Sequence, residues 1–384
     1  MMRLKTLFWR LVALAILAAG SYATLVRFTR GLGAATNLSD RAPWGLWIGF
    51  DVLCGVGLAA GGFAITTAVY VLHLEHWRPV VRPAVLTAFL GYLLVVVALI
   101  YDLGRPWNIW RPVVLWNPRS VMFEVAWCVM LYTTVLAVEF APVAFDRLGW
   151  ERASRACRAA IVPLAAAGCI LSTLHQSSLG SLYLILPGKL HPLWYSPWLP
   201  WLFWLSALAA GLAMVIFESG MSSRAFGRAL EMDILDQLAK AMVVLLGLFL
   251  FLRFWDLGSR GQLAAALRFG GPGGQQTVMF WLETVLLAAP ALLALPAGVR
   301  RDPRRLFTLA TAVVGGFLVH RLNVSITALD AHAGIRYFPS WMEVAVTLML
   351  VTLGVWAFRL AVLHLPVFES ARRKRATRTQ ACYA

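Results

Sequence analysis

Ten stretches of mostly apolar residues recur along this chain, and each reaches the roughly 20 residues that a helix needs to cross a membrane. The chain is 60% hydrophobic and 14% charged, whereas soluble domains are about 45–50% apolar and about 25% charged. An ordinary soluble domain is therefore excluded. We place the spans near 8–27, 44–72, 81–102, 120–141, 158–184, 198–219, 237–256, 277–296, 306–322 and 341–364. The predicted fold class is an all-α polytopic membrane protein, one integral domain with a basic tail over 365–384.

The first span follows three basic residues and ends in a run of small residues, AAGSYA. Secretory signal peptides share this pattern. We favour an uncleaved transmembrane helix, with a cleaved signal as the alternative. Either outcome leaves the orientation of the later spans unchanged.

The basic residues are unevenly distributed between the two sets of loops. The chain has 34 Lys and Arg against 18 Asp and Glu, a net charge of +16. In a soluble protein this excess would suggest nucleic acid, but in a membrane protein it marks cytoplasmic loops. The loops on the side shared by both termini hold most of the excess. The positive-inside rule therefore predicts cytoplasmic termini, and we expect no nucleic-acid partner.

The longest connections then lie outside, over 31–45, 102–120 and 175–200, and they are rich in Trp and Pro. Interfacial Trp and Tyr account for most of these aromatic residues. Long loops with many special residues also build sites or dock partners. We expect a partner on this outer face.

Ionisable residues inside a membrane are costly, so each one is a functional candidate. Most of the carboxylates fall in the outer third of their spans, whereas Glu139 and Glu218 fall at inner ends. The candidates are Asp51, Asp102, Glu124, Glu139, Glu218, Asp256, Glu283, Glu343, His175 and His320.

Several of these charges also have a structural interpretation. Asp102 has Arg105 three residues away, and Asp256 has Arg253, so a local ion pair is the alternative to a catalytic role for both and is favoured for Asp256. The two inner acids are equally compatible with an interfacial position. Glu124 and Asp51 have no basic residue nearby within their spans, which favours function.

Haem b requires axial ligands such as histidines from facing helices. Of the seven histidines, only His175 and His320 fall at membrane depth, and no two in-register pairs exist. The five cysteines form no CxxC motif, and no nucleotide fingerprint occurs. We therefore expect no haem and no metal in this chain. Acids, a histidine and aromatic residues near the outer face suit a quinone site, and a transporter of a small polar substrate would look similar.

Motifs spread from about residue 30 to 364 carry a family resemblance. They include WIGFDVLCGVG (47–57), DLGRPWN (102–108), SVMFEVAWC (120–128), LHQSSLGSLY (174–183), LRFWDL (252–257) and YFPSWME (337–343). These segments resemble the membrane subunits of hydrogenase-2-type enzymes, within the NrfD/polysulfide-reductase membrane-subunit family. The implied fold is two four-helix bundles plus peripheral helices.

The resemblance implies a quinone-reactive subunit of a respiratory oxidoreductase in the bacterial inner membrane. In such complexes the large and small hydrogenase subunits lie on the periplasmic side. Electrons pass through a ferredoxin-like iron–sulfur subunit to menaquinone, the substrate of the membrane subunit. The better-studied family members are expected to carry no haem, in line with the histidine pattern.

The resemblance also assigns roles by position. The implied catalytic residues are Glu124, His175 and Asp51. Quinone binding is assigned to Tyr92, Gln176, Arg105 and Asp102, and an inward proton path to Tyr92, Glu218 and Glu139.

The loop RPWNIWRPVVLWNPRS departs from the hydrogenase-2 pattern, being shorter and more basic than expected. Related subunits serve complexes linked to polysulfide, tetrathionate, nitrite or sulfite, which remain alternatives for the partner. A membrane anchor that only conducts protons, or a secondary transporter without a redox partner, are the alternatives from other functional classes.

Overall fold

Ten long helices form the chain in a computed structural model that describes residues 2–186, 188–270 and 273–368. In chain order they are α1 (Met2–Arg30), α2 (Trp47–Tyr70), α3 (Arg78–Asp102), α4 (Val121–Leu148), α5 (Ile161–Leu184), α6 (Leu199–Phe226), α7 (Met232–Ser259), α8 (Gly274–Leu293), α9 (Pro303–Leu322) and α10 (Trp341–His364). Nine are long and apolar enough to cross a membrane, and α5 qualifies together with the short helix Glu151–Ala159, from which it bends by 56°. The described residues contain no β-strand, only one isolated bridge. The predicted all-α polytopic fold class is confirmed.

Short elements and irregular turns complete the described chain. The first part of α2, Trp47–Cys54, is π-helical, and a second π-helical turn, Asn323–Thr327, extends α9. The short helices are Leu32–Ala35, Glu75–Trp77, Pro106–Asn108, Arg111–Val114, Glu151–Ala159, Ala265–Leu267, Ala297–Arg300 and Ala328–Ala333. The part of the predicted basic tail over 369–384 lies outside the described residues.

Two long helices continue well beyond their predicted ends. We expected spans ending near 141 and 219, but α4 reaches Leu148 and α6 reaches Phe226. Each ends at a glycine with a left-handed backbone, Gly149 (φ 74°) and Gly227 (φ 64°). Because this conformation suits glycine and terminates helices, the backbone and not the hydrocarbon boundary sets these ends.

The helices pack as two bundles. Helices α2–α5 form the first bundle and α6–α9 the second, with α6 packed against α2 and α5, while α1 and α10 pair outside and contact α3. The bundles touch at Gly61 and Gly211, where a Cβ on Gly61 would lie 2.5 Å from the carbonyl oxygen of Gly211. Small residues allow such close backbone approach in membranes.

If each long helix crosses once, Met2 and Phe368, the first and last described residues, lie on the same side of the membrane. We call the opposite side the distal face. It carries the described parts of the connections over 31–46, 103–120, 185–198, 260–273 and 334–340. These include the long loops that the charge distribution predicts to be outside.

Candidate functional site

Polar side chains gather at mid-depth in the first bundle, where apolar packing would be expected. Tyr92 of α3, Tyr132 of α4 and Ser172, His175 and Gln176 of α5 form what we call the His175 cluster. Each side chain is at most 1% exposed. The hydroxyl of Tyr92 lies 2.9 Å from Nδ1 of His175, and the two tyrosine rings are 4.7 Å apart between centroids. The fold therefore joins two of the residues predicted for quinone chemistry, with a third beside them.

Within the described residues, the cluster leaves several buried polar atoms without a hydrogen-bond partner. They are the hydroxyls of Tyr132 and Ser172, Nε2 of His175 and Oε1 of Gln176. The amide nitrogen of Gln176 donates to the carbonyl of Val56 at 3.2 Å, which fixes that side chain. A buried unsatisfied group costs about 1–3 kcal/mol. So many in one place indicate a site that a polar ligand completes.

Glu124 lies on the distal side of this cluster. It occupies the first turn of α4, where the Ser120 side chain accepts a hydrogen bond from the helix backbone. The carboxyl is half-buried and lies about 12 Å along the helix axis from Tyr132, given a rise of about 1.5 Å per residue. In the part of the chain that the structure describes, Glu124 makes no hydrogen bond to the cluster. It therefore lies between the distal surface and His175, not against the imidazole.

The two inner acids lie on the other side of the cluster. Glu139 follows Tyr132 by about 10 Å along α4, is 8% exposed, and its Oε1 has no partner among the described residues. Glu218 of α6 accepts a hydrogen bond of 2.5 Å from the Thr87 hydroxyl of α3. Thr87 precedes Tyr92 on the same helix by about 8 Å. The three residues predicted as a proton path thus lie at successive depths, and the buried position of Glu139 disfavours a simple interfacial role.

Asp51, Asp102 and Arg105 lie apart from the His175 cluster. Asp51 accepts a hydrogen bond of 2.6 Å from Thr347 of α10. The expected ion pair between Asp102 and Arg105 is wrong, since no such pair forms among the described residues. Helix α3 ends at Asp102, and the loop carries Arg105 to an exposed position. The Asp102 carboxyl instead lies within electrostatic range of Arg27.

Glu343 is tied to the distal loops. Its carboxylate accepts hydrogen bonds from the backbone of Asn37 (3.0 Å) and Ser340 (2.8 Å), and from the hydroxyl of Tyr337. Burial and the bond to Glu343 raise the pKa of Tyr337 above its usual range. The phenol therefore stays protonated and acts as a donor, so Glu343 is best explained as a structural anchor of α10.

The second bundle contains a carboxylate that sequence reasoning noted without assigning a role. Glu283 of α8 is fully buried and forms an ion pair with Arg253 of α7. It accepts hydrogen bonds from Trp194 (3.0 Å) and Asn323 (2.6 Å), and Nδ1 of His320 lies 2.9 Å away. We call these five residues the Glu283 network.

The predicted pairing of Asp256 with Arg253 is wrong. Asp256 pairs with Arg260 at 2.7 Å, while Arg253 turns inward to Glu283. Both candidate bases lie within about one turn of Asp256, so helical spacing alone did not distinguish them. The available signal was that LRFWDL holds an arginine and an aspartate, whereas the apolar segment FWLE holds one carboxylate with no basic residue beside it.

Arg321 lies between the two bundles and is fully buried. Its Nη2 donates to the carbonyl of Phe203 at 2.8 Å, and the guanidinium carbon lies 3.6 Å from the centre of that ring. The same ring contacts Tyr183 of α5, with 5.7 Å between centroids. Arg321 follows His320 in the last turn of α9, where a basic residue is common. Sequence reasoning therefore assigned it no role.

Comparison with known proteins places these features in a family. The family model described as "Polysulphide reductase, NrfD" matches residues 34–331. A protein of Nitratidesulfovibrio vulgaris is 38% identical over 92% of each chain. The "Probable Ni/Fe-hydrogenase 2 b-type cytochrome subunit" of Escherichia coli is 35% identical, covering 93% of this chain and 92% of its own. The "Menaquinone reductase, integral membrane subunit" of Nitratidesulfovibrio vulgaris is 26% identical, covering 95% and 92%.

The expectation that this chain binds no haem is contradicted by the name of the Escherichia coli relative, a b-type cytochrome subunit. His175 and His320 are buried and have an unpartnered Nε2 among the described residues, the donor that an axial haem ligand uses. They lie in different bundles, on α5 and α9. The two buried histidines of the described residues are therefore single imidazole donors and not a facing pair.

The family resemblance seen in the motifs is confirmed. The family model covers most of the chain, and relatives above 30% identity align over nearly the whole length of both proteins. The chain therefore belongs to the NrfD family of membrane subunits.

Proposed function

We propose that this chain is the quinone-reactive membrane subunit of a respiratory oxidoreductase complex in the bacterial inner membrane. It passes electrons from an iron–sulfur partner to menaquinone. The observation that carries this proposal is the His175 cluster with its unpartnered polar atoms. The names of two relatives, a hydrogenase 2 subunit and a menaquinone reductase subunit, support the same class of complex.

The His175 cluster has the groups that a quinone headgroup needs. Each quinone carbonyl accepts hydrogen bonds, and the tyrosine, serine and imidazole groups of the cluster can donate them. The Tyr92 hydroxyl at Nδ1 fixes the imidazole ring and leaves Nε2 for the ligand. With Tyr92 as donor to Nδ1, Nε2 carries the hydrogen and donates to one carbonyl. Gln176 supports the same end of the site.

Quinone reduction takes up two electrons and two protons, and each carbonyl oxygen becomes a hydroxyl. The electrons come from the iron–sulfur partner. We assign proton delivery at one carbonyl to Glu124, with Asp51 as a further acid near the distal face. Tyr92 receives protons from the opposite side through Glu218 and Glu139, whose positions at successive depths support this route.

The distal loop over 103–120 is the proposed docking surface for the partner. Trp107, Trp110 and Trp116 are exposed there, with Arg105 and Arg111 beside them. Exposed aromatic and arginine side chains are enriched at protein interfaces. The partner is a periplasmic ferredoxin-like subunit, most simply that of a nickel–iron hydrogenase with its small and large subunits.

Binding of a menaquinone analogue to the chain in lipid nanodiscs tests this function. We expect His175→Ala to weaken binding about tenfold, the loss of one or two hydrogen bonds. His364→Ala is the matched control, because His364 is exposed at the end of α10 and bonds only within its own helix. Equal affinity in wild type and both variants would remove His175 from the quinone site.

A further inference from the structure

A narrow cleft opens on the distal face of the second bundle, away from the His175 cluster. It is lined by the loop before α6, the start of α6, the end of α7 and His320 of α9. The Asp256–Arg260 ion pair lies at its mouth, where the Arg260 side chain is 22% exposed. Arg253 and His320 line its buried part. The cleft thus connects the distal surface with the Glu283 network.

The hydrogen bonds of Glu283 fix its state. Trp194 and Arg253 can only donate, and the Asn323 amide nitrogen also donates. Glu283 is therefore an acceptor, and its negative charge balances Arg253. Since its Oε1 also lies 2.9 Å from Nδ1 of His320, that nitrogen carries the hydrogen. The opposite ring nitrogen, Nε2, is then an acceptor.

Two buried polar atoms of the cleft-lining residues have no partner in the described part of the chain: Nε2 of His320 and Nη2 of Arg253. The first accepts a hydrogen bond and the second donates one. A water molecule has the complementary pair of functions. The space in the cleft for the centre of a water molecule is about 10 Å³, roughly what a single water needs.

We propose that the cleft binds one water molecule, which donates to His320 Nε2, accepts from Arg253 and connects the Glu283 network to protons at the distal face. In the exchange, the O–H bond of this water breaks as its proton passes to Nε2. A proton from the distal solvent restores the water. The site lies in the other bundle and does not rest on the proposed quinone function.

Charged and aromatic groups from several helices face His320. The Glu283 carboxylate of α8 contacts the imidazole, and Arg253 of α7 and Arg321 of α9 are the basic groups nearby. Phe203 of α6 and Phe249 of α7 contact the ring edge-on. Asp256 and Arg260 neutralise each other at the mouth. In this proposal, the His320 imidazole is the group that takes up the single additional proton.

Nitrogen-15 NMR of histidine-labelled protein in nanodiscs tests the proposal, with His320→Gln identifying the resonances. We expect the wild type to show His320 as the Nδ1–H tautomer with a hydrogen-bonded Nε2, converting to imidazolium as the pH is lowered. An Nε2–H tautomer, or no conversion while the protein stays folded, would overturn it.

Filling the cleft provides a second measurement that substitutes no residue of the Glu283 network. Ser196 lines the cleft and is buried, so Ser196→Val should displace the water. We expect the Nε2 resonance to shift to its unbonded position and proton exchange to slow. Ser206→Val is the control, since Ser206 is buried on α6 and bonds within that helix. A high-resolution map of the wild type without density between His320 and Arg253 would contradict the proposal.

Discussion

Both four-helix bundles bury polar residues and leave some polar atoms unpartnered among the described residues, but they differ in how the central group is satisfied. In the second bundle, Glu283 is surrounded by an arginine, a histidine, an asparagine and a tryptophan, all within hydrogen-bonding distance. In the first bundle, the His175 cluster has one bond between side chains, from Tyr92 to His175, and leaves several atoms unpartnered among the described residues.

This difference separates a group that stabilises the fold from a group that is prepared for a ligand. A buried carboxylate with a full set of donors holds helices together and is costly to disturb. A buried hydroxyl or imidazole without a partner lowers stability until something binds. Variants in the two bundles should therefore change different properties of the protein.

The largest effect on stability is expected for Glu283→Gln. Loss of the carboxylate leaves the Arg253 charge buried and unpaired, which costs about 3–5 kcal/mol. The change in stability is measured by heating the protein in nanodiscs and quantifying the remaining folded protein by size-exclusion chromatography. Glu124→Gln is the control, and its stability should match the wild type. Equal destabilisation of both variants would contradict the claim that the Glu283 carboxylate stabilises the fold and Glu124 does not.

Glu124→Gln should instead lower quinone-linked turnover about 100-fold or more, the usual contribution of general acid catalysis. Glutamine keeps the size of the side chain but cannot exchange a proton. The rate is measured on the complex purified through this chain. Glu151→Gln, an exposed carboxyl on the opposite side, should leave the rate unchanged. A normal rate in Glu124→Gln would make this residue structural.

Glu218→Gln should abolish a membrane potential without abolishing turnover. If protons reach Tyr92 from the side of the termini, each one moved against 100 mV stores about 2.3 kcal/mol. A potential-sensitive dye in liposomes that contain the complex reports this directly. Glu75→Gln, exposed and paired with Arg78, serves as control. Full wild-type turnover in tight vesicles with no potential would show that the route does not exist.

The smallest expected effect is a change in stability that has opposite signs in the two bundles. Tyr132→Phe removes a buried hydroxyl that has no described partner, so the ligand-free protein should gain about 1 kcal/mol of stability. Asn323→Leu, which removes a donor to Glu283, should lose a similar amount. Chemical or thermal unfolding of the two variants measures the expected gain in stability of the first and the expected loss of the second. A loss of stability in Tyr132→Phe would mean that the first bundle does not leave this group unsatisfied.

The helices of this protein were predictable because apolar length is a local property. Hydropathy located each of the ten long helices that the structure describes. The motifs located Tyr92, His175 and Gln176, which the fold brings together. The ends of α4 and α6 were not predictable from hydropathy, since the left-handed glycines Gly149 and Gly227 set them.

Pairings between distant segments were beyond sequence reasoning. Arg253 and Glu283 are on different helices, and only the packing of α7 against α8 decides that they meet. For Asp256, the basic residue three positions earlier, Arg253, was predicted as the partner, but the partner is Arg260. The expected ion pair between Asp102 and Arg105 does not form for another reason. Helix α3 ends at Asp102, so the two residues do not share a helix.

The buried Arg321 has a consequence for ion leakage. Arginine stays positively charged in proteins, and this one is fixed at the junction of the bundles by Phe203. Two unit charges 4 Å apart repel by about 4 kcal/mol at an effective dielectric constant of about 20. A sodium or potassium ion following the junction would meet this barrier in addition to the cost of losing its hydration. An ion at the point where the two bundles meet would therefore face a fixed positive charge.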